Sequence, residues 1–171
     1  MAKKKEKKET KTGLHKLLED AVADIYYAEN KLVKATLKMS KTAKDAKLKK
    51  AFLDHHKETK GQVADLKKVV TLLGIPAKGK KCDAIDGLLK EADGLASEFK
   101  GDPALDAALI TAAQKVEHYE IASYGSMIAF AEQLDMKPVA KALGGILAQE
   151  KMADMALTGL AESALNAAGD R

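Results

Sequence analysis

From Leu14 to Met39 the apolar residues recur in alternating steps of four and three: Leu14, Leu18, Ala21, Ile25, Ala28, Leu32, Ala35 and Met39. A stripe of that period cannot belong to a strand, whose faces alternate every two residues, and it must be covered by another apolar surface. The spacing returns at Leu48, Phe52, His55, Thr59, Gln62, Leu66, Val69 and Leu73, and again at Val139, Leu143, Ile146, Glu150, Ala153, Leu157, Leu160 and Ala164. A further long segment rich in helix formers lies between them. The pattern predicts helices over Leu14–Lys41 and Ala46–Leu73, then from Asp102-Pro103 to Leu134, and over Val139–Leu165. At 1.5 Å per residue each is about 40–45 Å long, the dimension of a four-helix bundle. The chain has 171 residues and only three prolines, which agrees with one all-α domain.

The connections decide the topology. Short turns join the first helix to the second and the third to the fourth, so each pair is antiparallel. The link between pairs is long. It opens on "GIPAKGKK", where Gly74 suits a helix C-terminus and Pro76 prevents continuation. It then carries a short amphipathic helix over Cys82–Phe99, with Asp83 near its start, and closes on "KGDP". Asp102 is read as the N-cap of the third long helix, with Pro103 at its first position. One long crossover is the ferritin-like arrangement rather than the simple up-down one. The expected fold is therefore an all-α, ferritin-like antiparallel four-helix bundle over residues 13–168, with a short extra helix in the crossover.

Residues 1–12 are a separate matter. Six lysines (Lys3, Lys4, Lys5, Lys7, Lys8, Lys11) against Glu6 and Glu9 account for the whole formal charge of +4. The segment has almost nothing to bury and is expected to be a disordered, solvated tail. The remainder is near neutral and offers no basic groove, so nucleic acid could be contacted only through the tail. There is no secretory h-region and no run of about 18 apolar residues, so no membrane span is expected. The single cysteine, Cys82, cannot form an internal disulfide. Together these fit the cytoplasm.

Several polar residues interrupt the seams. Glu29 lies between Ile25 and Val33, with Tyr26 three before it. His55 and Gln62 stand on the second seam, with Glu58 between them. In "AAQKVEHYEIASYG", Glu117 and Glu120 sit three apart beside Ala113 and Tyr124, and Glu150 is squarely on the fourth seam. Glu29, Glu58, Glu117 and Glu150 each fall near a helix midpoint, and in a bundle of similar-length helices the midpoints share one level. Five carboxylates and an imidazole then converge inside an apolar core.

One buried, unpaired carboxylate costs several kcal/mol, so the cluster needs compensation. Two divalent cations would supply it, and carboxylate oxygens with one imidazole suit iron or manganese. In that scheme Glu58 and Glu150 bridge, while Glu29, Glu117, Glu120 and His55 are terminal. Tyr26, Tyr124, Gln62 and Asp154 would support the ligands from behind. His56 is expected to face outward, and His118, about 100° round from Glu117, to lie behind the ligands or at the surface. A lone glutamate beside a seam is more often a flank residue paired with a lysine. Four helices with the same exception at one level make coincidence a poor account.

The stretches at 14–37, "AFLDHHKETKGQV", "GKKCDAIDGLL" and "AALITAAQKVEHYEIASYG" resemble the YciE/YciF family of bacterial stress-associated, ferritin-like proteins. The resemblance covers about residues 14–165 and implies a cytoplasmic, usually dimeric bundle with a di-metal centre. More widely, the chain is similar to rubrerythrin-like di-iron proteins, in which Glu-x-x-His motifs lie on the second and fourth helices. Glu29, Glu58, Glu117 with Glu120, and Glu150 match the carboxylates of that pattern. Gly61 and Ala153 stand where its histidines would be, with His55 on the other side of Glu58 as a substitute imidazole. The resemblance implies oxygen or peroxide chemistry if the protein is an enzyme, and the missing histidines point instead to a structural bundle without redox chemistry.

Overall fold

The computed structural model describes Lys11 and residues 13–170, apart from the side chain of Ala164. The remaining residues of the lysine-rich tail therefore lie outside the described residues. Lys11 itself pairs with Glu19. The long helices are α1 (Gly13–Thr42), α2 (Ala46–Leu73), α4 (Leu105–Gln133) and α5 (Lys137–Leu160), with α3 (Asp83–Glu98) in the crossover. A π-helical turn (Ala161–Leu165) and a short α6 (Asn166–Gly169) extend α5. The fold is the expected ferritin-like antiparallel bundle with a helix-bearing crossover.

Local chemistry sets the helix ends. Asp45 caps α2, accepting from the backbone N–H of Lys47 at 2.8 Å and of Leu48 at 2.9 Å. Gly74 closes α2 in the left-handed region at φ 66°, which a residue with a Cβ adopts only at a cost. Asp102 does not cap α4 as the sequence suggests. Its carboxylate accepts from Ala104 N–H at 2.7 Å within a tight turn, and the helix starts at Leu105. The Asp-Pro pair thus shapes the approach to the helix rather than its first turn.

Each long helix packs against two others: α1 on α2 and α4, and α5 on α2 and α4. The ends of the bundle are apolar. One end gathers Leu18, Val22, Leu66, Val69, Met127 and Leu143; the other gathers Ala43, Leu48, Phe52, Leu105, Leu109 and Leu157. Because α1 begins where α4 ends, all neighbouring long helices are antiparallel. The crossover must then carry the chain the length of the bundle.

It does so pressed against α1. A Cβ on Gly79 would lie 2.8 Å from Tyr27 Cβ and 2.9 Å from its Cα, so only glycine fits that approach. Lys80 N–H donates to the Ala23 carbonyl at 2.9 Å, and Tyr27 OH donates to Asp86 at 3.0 Å. Lys38 then pairs with Asp93 at 2.6 Å further along α3.

At the α1–α2 turn, Asp106 of α4 is buried and accepts from the backbone N–H of Lys44 at 2.8 Å and of Asp45 at 2.7 Å. Nothing in the sequence pattern marks this residue. Asp106→Ala would orphan two N–H groups that now have a charged acceptor. A loss of about 2–3 kcal/mol is expected, measured by urea unfolding at neutral pH.

Candidate metal centre

Between the two apolar ends the core is polar. Glu29 (α1), His55 (α2), Glu117 and Glu120 (α4) and Glu150 (α5) are all buried, Glu29 and Glu150 completely. They sit inward because each occupies a seam position, or the flank of one, at the middle of a packed helix. His55, Glu117, Glu120 and Glu150 each offer a donor atom within 4.8 Å of the others. His55 Nε2 stands 3.3 Å from Glu117 Oε1 and 4.0 Å from Glu150 Oε2.

Glu29 is fixed from the adjoining helix α4, accepting from Tyr124 OH at 2.5 Å. That leaves many buried polar atoms without a hydrogen bond among the described residues. They include Glu29 Oε2, Glu117 Oε2, both carboxylate oxygens of Glu120 and of Glu150, and His55 Nδ1. Native cores satisfy nearly all such groups, so a run of orphaned polar atoms converging on one region is an unusual feature, and its donor atoms are of the kind that could hold a cation.

The electrostatics agree. Burial raises the Glu29, Glu117 and Glu150 carboxyls to about 8, and the surrounding carboxylates add to the rise. Glu120 is pushed well above the carboxylate range by burial and by Glu29, Glu150 and Glu117. Burial alone would lower the His55 imidazole, but Glu58, Glu150 and Glu29 together raise it. Burial also pushes the Tyr124 phenol up, helped by Glu29, so it remains a donor. Protons are what the cluster holds when nothing more strongly positive is present.

The remaining expected residues lie elsewhere. Glu58 is exposed and reaches back only to His55 Nδ1, 3.6 Å away. The inward position at its level belongs to Thr59, whose hydroxyl donates to the His55 carbonyl at 2.9 Å. A bridging place for Glu58 is therefore not what the structure presents. Gln62 is buried and donates to Gln149 at 3.0 Å, leaving its Oε1 free.

Asp154 is half-buried between α4 and α5, accepting from Gln114 at 3.2 Å, with His118 3.5 Å away, and its charge helps to raise the Glu117 carboxyl. Tyr26 packs in the apolar end cluster and makes no hydrogen bond to a carboxylate among the described residues. His56 is half-buried rather than turned outward, with Nδ1 2.9 Å from the Val33 carbonyl.

Comparison with known proteins follows the same lines. The profile of a family described as "Domain of unknown function (DUF892)" matches residues 13–169. Protein YciF of Escherichia coli strain K12 is 42% identical over 146 residues, spanning 85% of this chain and 88% of that protein. The crystal structure of the E. coli stress protein YciF superposes with a TM-score of 0.86 at 40% identity, covering 92% of this chain and 99% of that one. YcfI from Rhodopseudomonas palustris, described provisionally as a structural protein, gives a TM-score of 0.82 at 41% identity over 90% of this chain and 97% of its own.

Proposed function

The chain belongs to the DUF892 family, and from that premise we propose that it is a stress-associated protein that binds divalent metal, iron or manganese, in its mid-bundle carboxylate cluster. The convergence of orphaned carboxylate oxygens on one buried point carries the proposal. His55, Glu117, Glu120 and Glu150 supply one ion with a donor set of hard oxygens and a single nitrogen. Glu29 and the second oxygens of Glu120 and Glu150 are the groups left for a second ion. When bound, such a metal supplies Lewis acidity and, for iron, one-electron redox chemistry that could act on oxygen or peroxide. The chain's own part is to hold Glu29 through Tyr124 and to release protons as metal enters.

Elemental analysis of protein purified without chelators tests this. The expected result is at least about one iron or manganese per chain, lost in Glu117→Ala. Less than about one ion per two chains, unchanged by that substitution, overturns it. A structural role without metal draws support from the outward Glu58 and from Gly61 and Ala153, which cannot ligate. It requires the wild type and Glu117→Ala to be equally metal-poor. A cytoplasmic homodimer is part of the same proposal. The membrane is not an expected setting, since no helix among the described residues is long and apolar enough to cross one.

A further inference from the structure

Beside the carboxylate cluster, toward the α1–α2 turn, the bundle contains a cavity of about 300 Å³ to which all five major helices contribute. Its buried walls are apolar, among them Leu32, Phe52, Ala112, Ala113 and Leu157. Alanines are what open it, since a larger side chain at Ala112 or Ala113 would fill the space. The exposed lining residues Glu58, Met152 and Ala156 mark a mouth between α2 and α5. Met152 is an unbranched, adaptable side chain in that position.

Polar groups on the buried wall are few. Thr36 spends its hydroxyl on the Leu32 carbonyl at 2.8 Å, leaving His55 and Glu117, the same two residues that face the candidate metal. So much apolar wall turned toward a single chamber favours an apolar occupant over water. An apolar chamber with a few convergent polar groups at one place has the build of a ligand site.

We propose that the cavity binds a neutral, largely apolar small molecule of roughly ten heavy atoms and presents one end of it to His55 and Glu117. The size follows from a share of about 30 Å³ for each water-sized group. Neutrality follows from the lining: Asp54, Glu58 and Glu117 oppose an anionic head, and the apolar surface that makes up most of the wall opposes burial of any charge. The inference deepens the metal proposal by naming the class of substrate for the same site. Binding in the cavity itself needs only the apolar walls, so the two can fail separately.

The test is a titration of metal-free full-length protein, labelled with ¹³C at the methionine methyls, with naphthalene, a molecule of about the required size. Saturable shifts are expected for Met39 and Met152, which line the cavity, and none for Met127 or Met136, which pack at the other end of the bundle. Ala113→Leu and, nearer the mouth, Ala153→Leu should each weaken binding at least about tenfold while leaving manganese uptake intact. Two variants guard against one failing to fold. An unmoved Met39 signal at the solubility limit, or undiminished binding in both filled variants, overturns the proposal. Equal binding of the anion 2-naphthoate overturns its neutrality. Naphthalene binding without manganese uptake sinks the metal proposal alone.

Discussion

Metal-free protein is expected to melt roughly 10–20 °C lower at pH 8 than at pH 5, and manganese(II) to reverse that trend. Glu29, Glu117 and Glu150 have folded-state values raised to about 8, against about 4.5 when exposed. Between those limits the folded chain holds protons that the unfolded chain has released. Stability from these groups is therefore complete below about pH 4.5 and is lost as the pH rises through about 8. The raised His55 value acts in the same direction. The groups interact, so their losses do not add; a total on the order of 5 kcal/mol corresponds to the stated fall in Tm.

Manganese competes with those protons and binds more tightly as they leave, so its stabilisation grows over the same interval. Thermal melts followed by circular dichroism at several pH values, with and without millimolar manganese, check both limbs. A metal-free Tm that climbs from pH 5 to pH 8 would show that the carboxylates are not held neutral in the fold.

The second large effect is at Glu120, whose two carboxylate oxygens are both buried without hydrogen bonds. Glu120→Gln keeps the shape, removes the cost of burying a carboxylate or holding it protonated, and lets an amide donate toward the neighbouring carboxylates. At pH 8, metal-free Glu120→Gln is expected to be more stable than wild type by about 1–4 kcal/mol, as for other replacements of buried charge. It should also bind manganese more than about 100-fold more weakly, since even residues behind a ligand are worth 10–100-fold. Paired melts and metal titrations measure the two changes together. Stability gained where function is lost is the signature of a binding site, because a residue kept only for packing would lose stability on substitution. An unchanged manganese affinity would remove Glu120 from the donor set.

Much of this was legible in the residues. The period of the seams gives the four long helices, and Gly74, Pro76 and the length of the crossover give the topology. Glu150 was the clearest site residue because it stands on its seam, where no rotation of the helix can turn it outward. Glu58 shows the limit. It shares the level of the cluster, but Thr59 holds the seam at that turn, and a residue one step away is rotated by about 100°.

Distance along the helix was readable, while the last half-turn of facing depended on which neighbour the packing chose. The cavity and the Asp106 brace were not readable at all. Both arise from residues far apart in sequence, and alanine at a seam position looks the same whether its neighbours close over it or leave a void.

The polar layer between two apolar ends also fixes alignment. Alanine-rich seams are smooth and would let one helix slide past another by a turn, about 5.4 Å, at little cost in apolar contact. Here such a slip would carry Glu150 or Glu29 out of the layer and set a charge against leucine, while leaving its former partners facing an aliphatic side chain. The carboxylates thus act as a keyed level that admits one vertical setting of the helices, whatever else they bind.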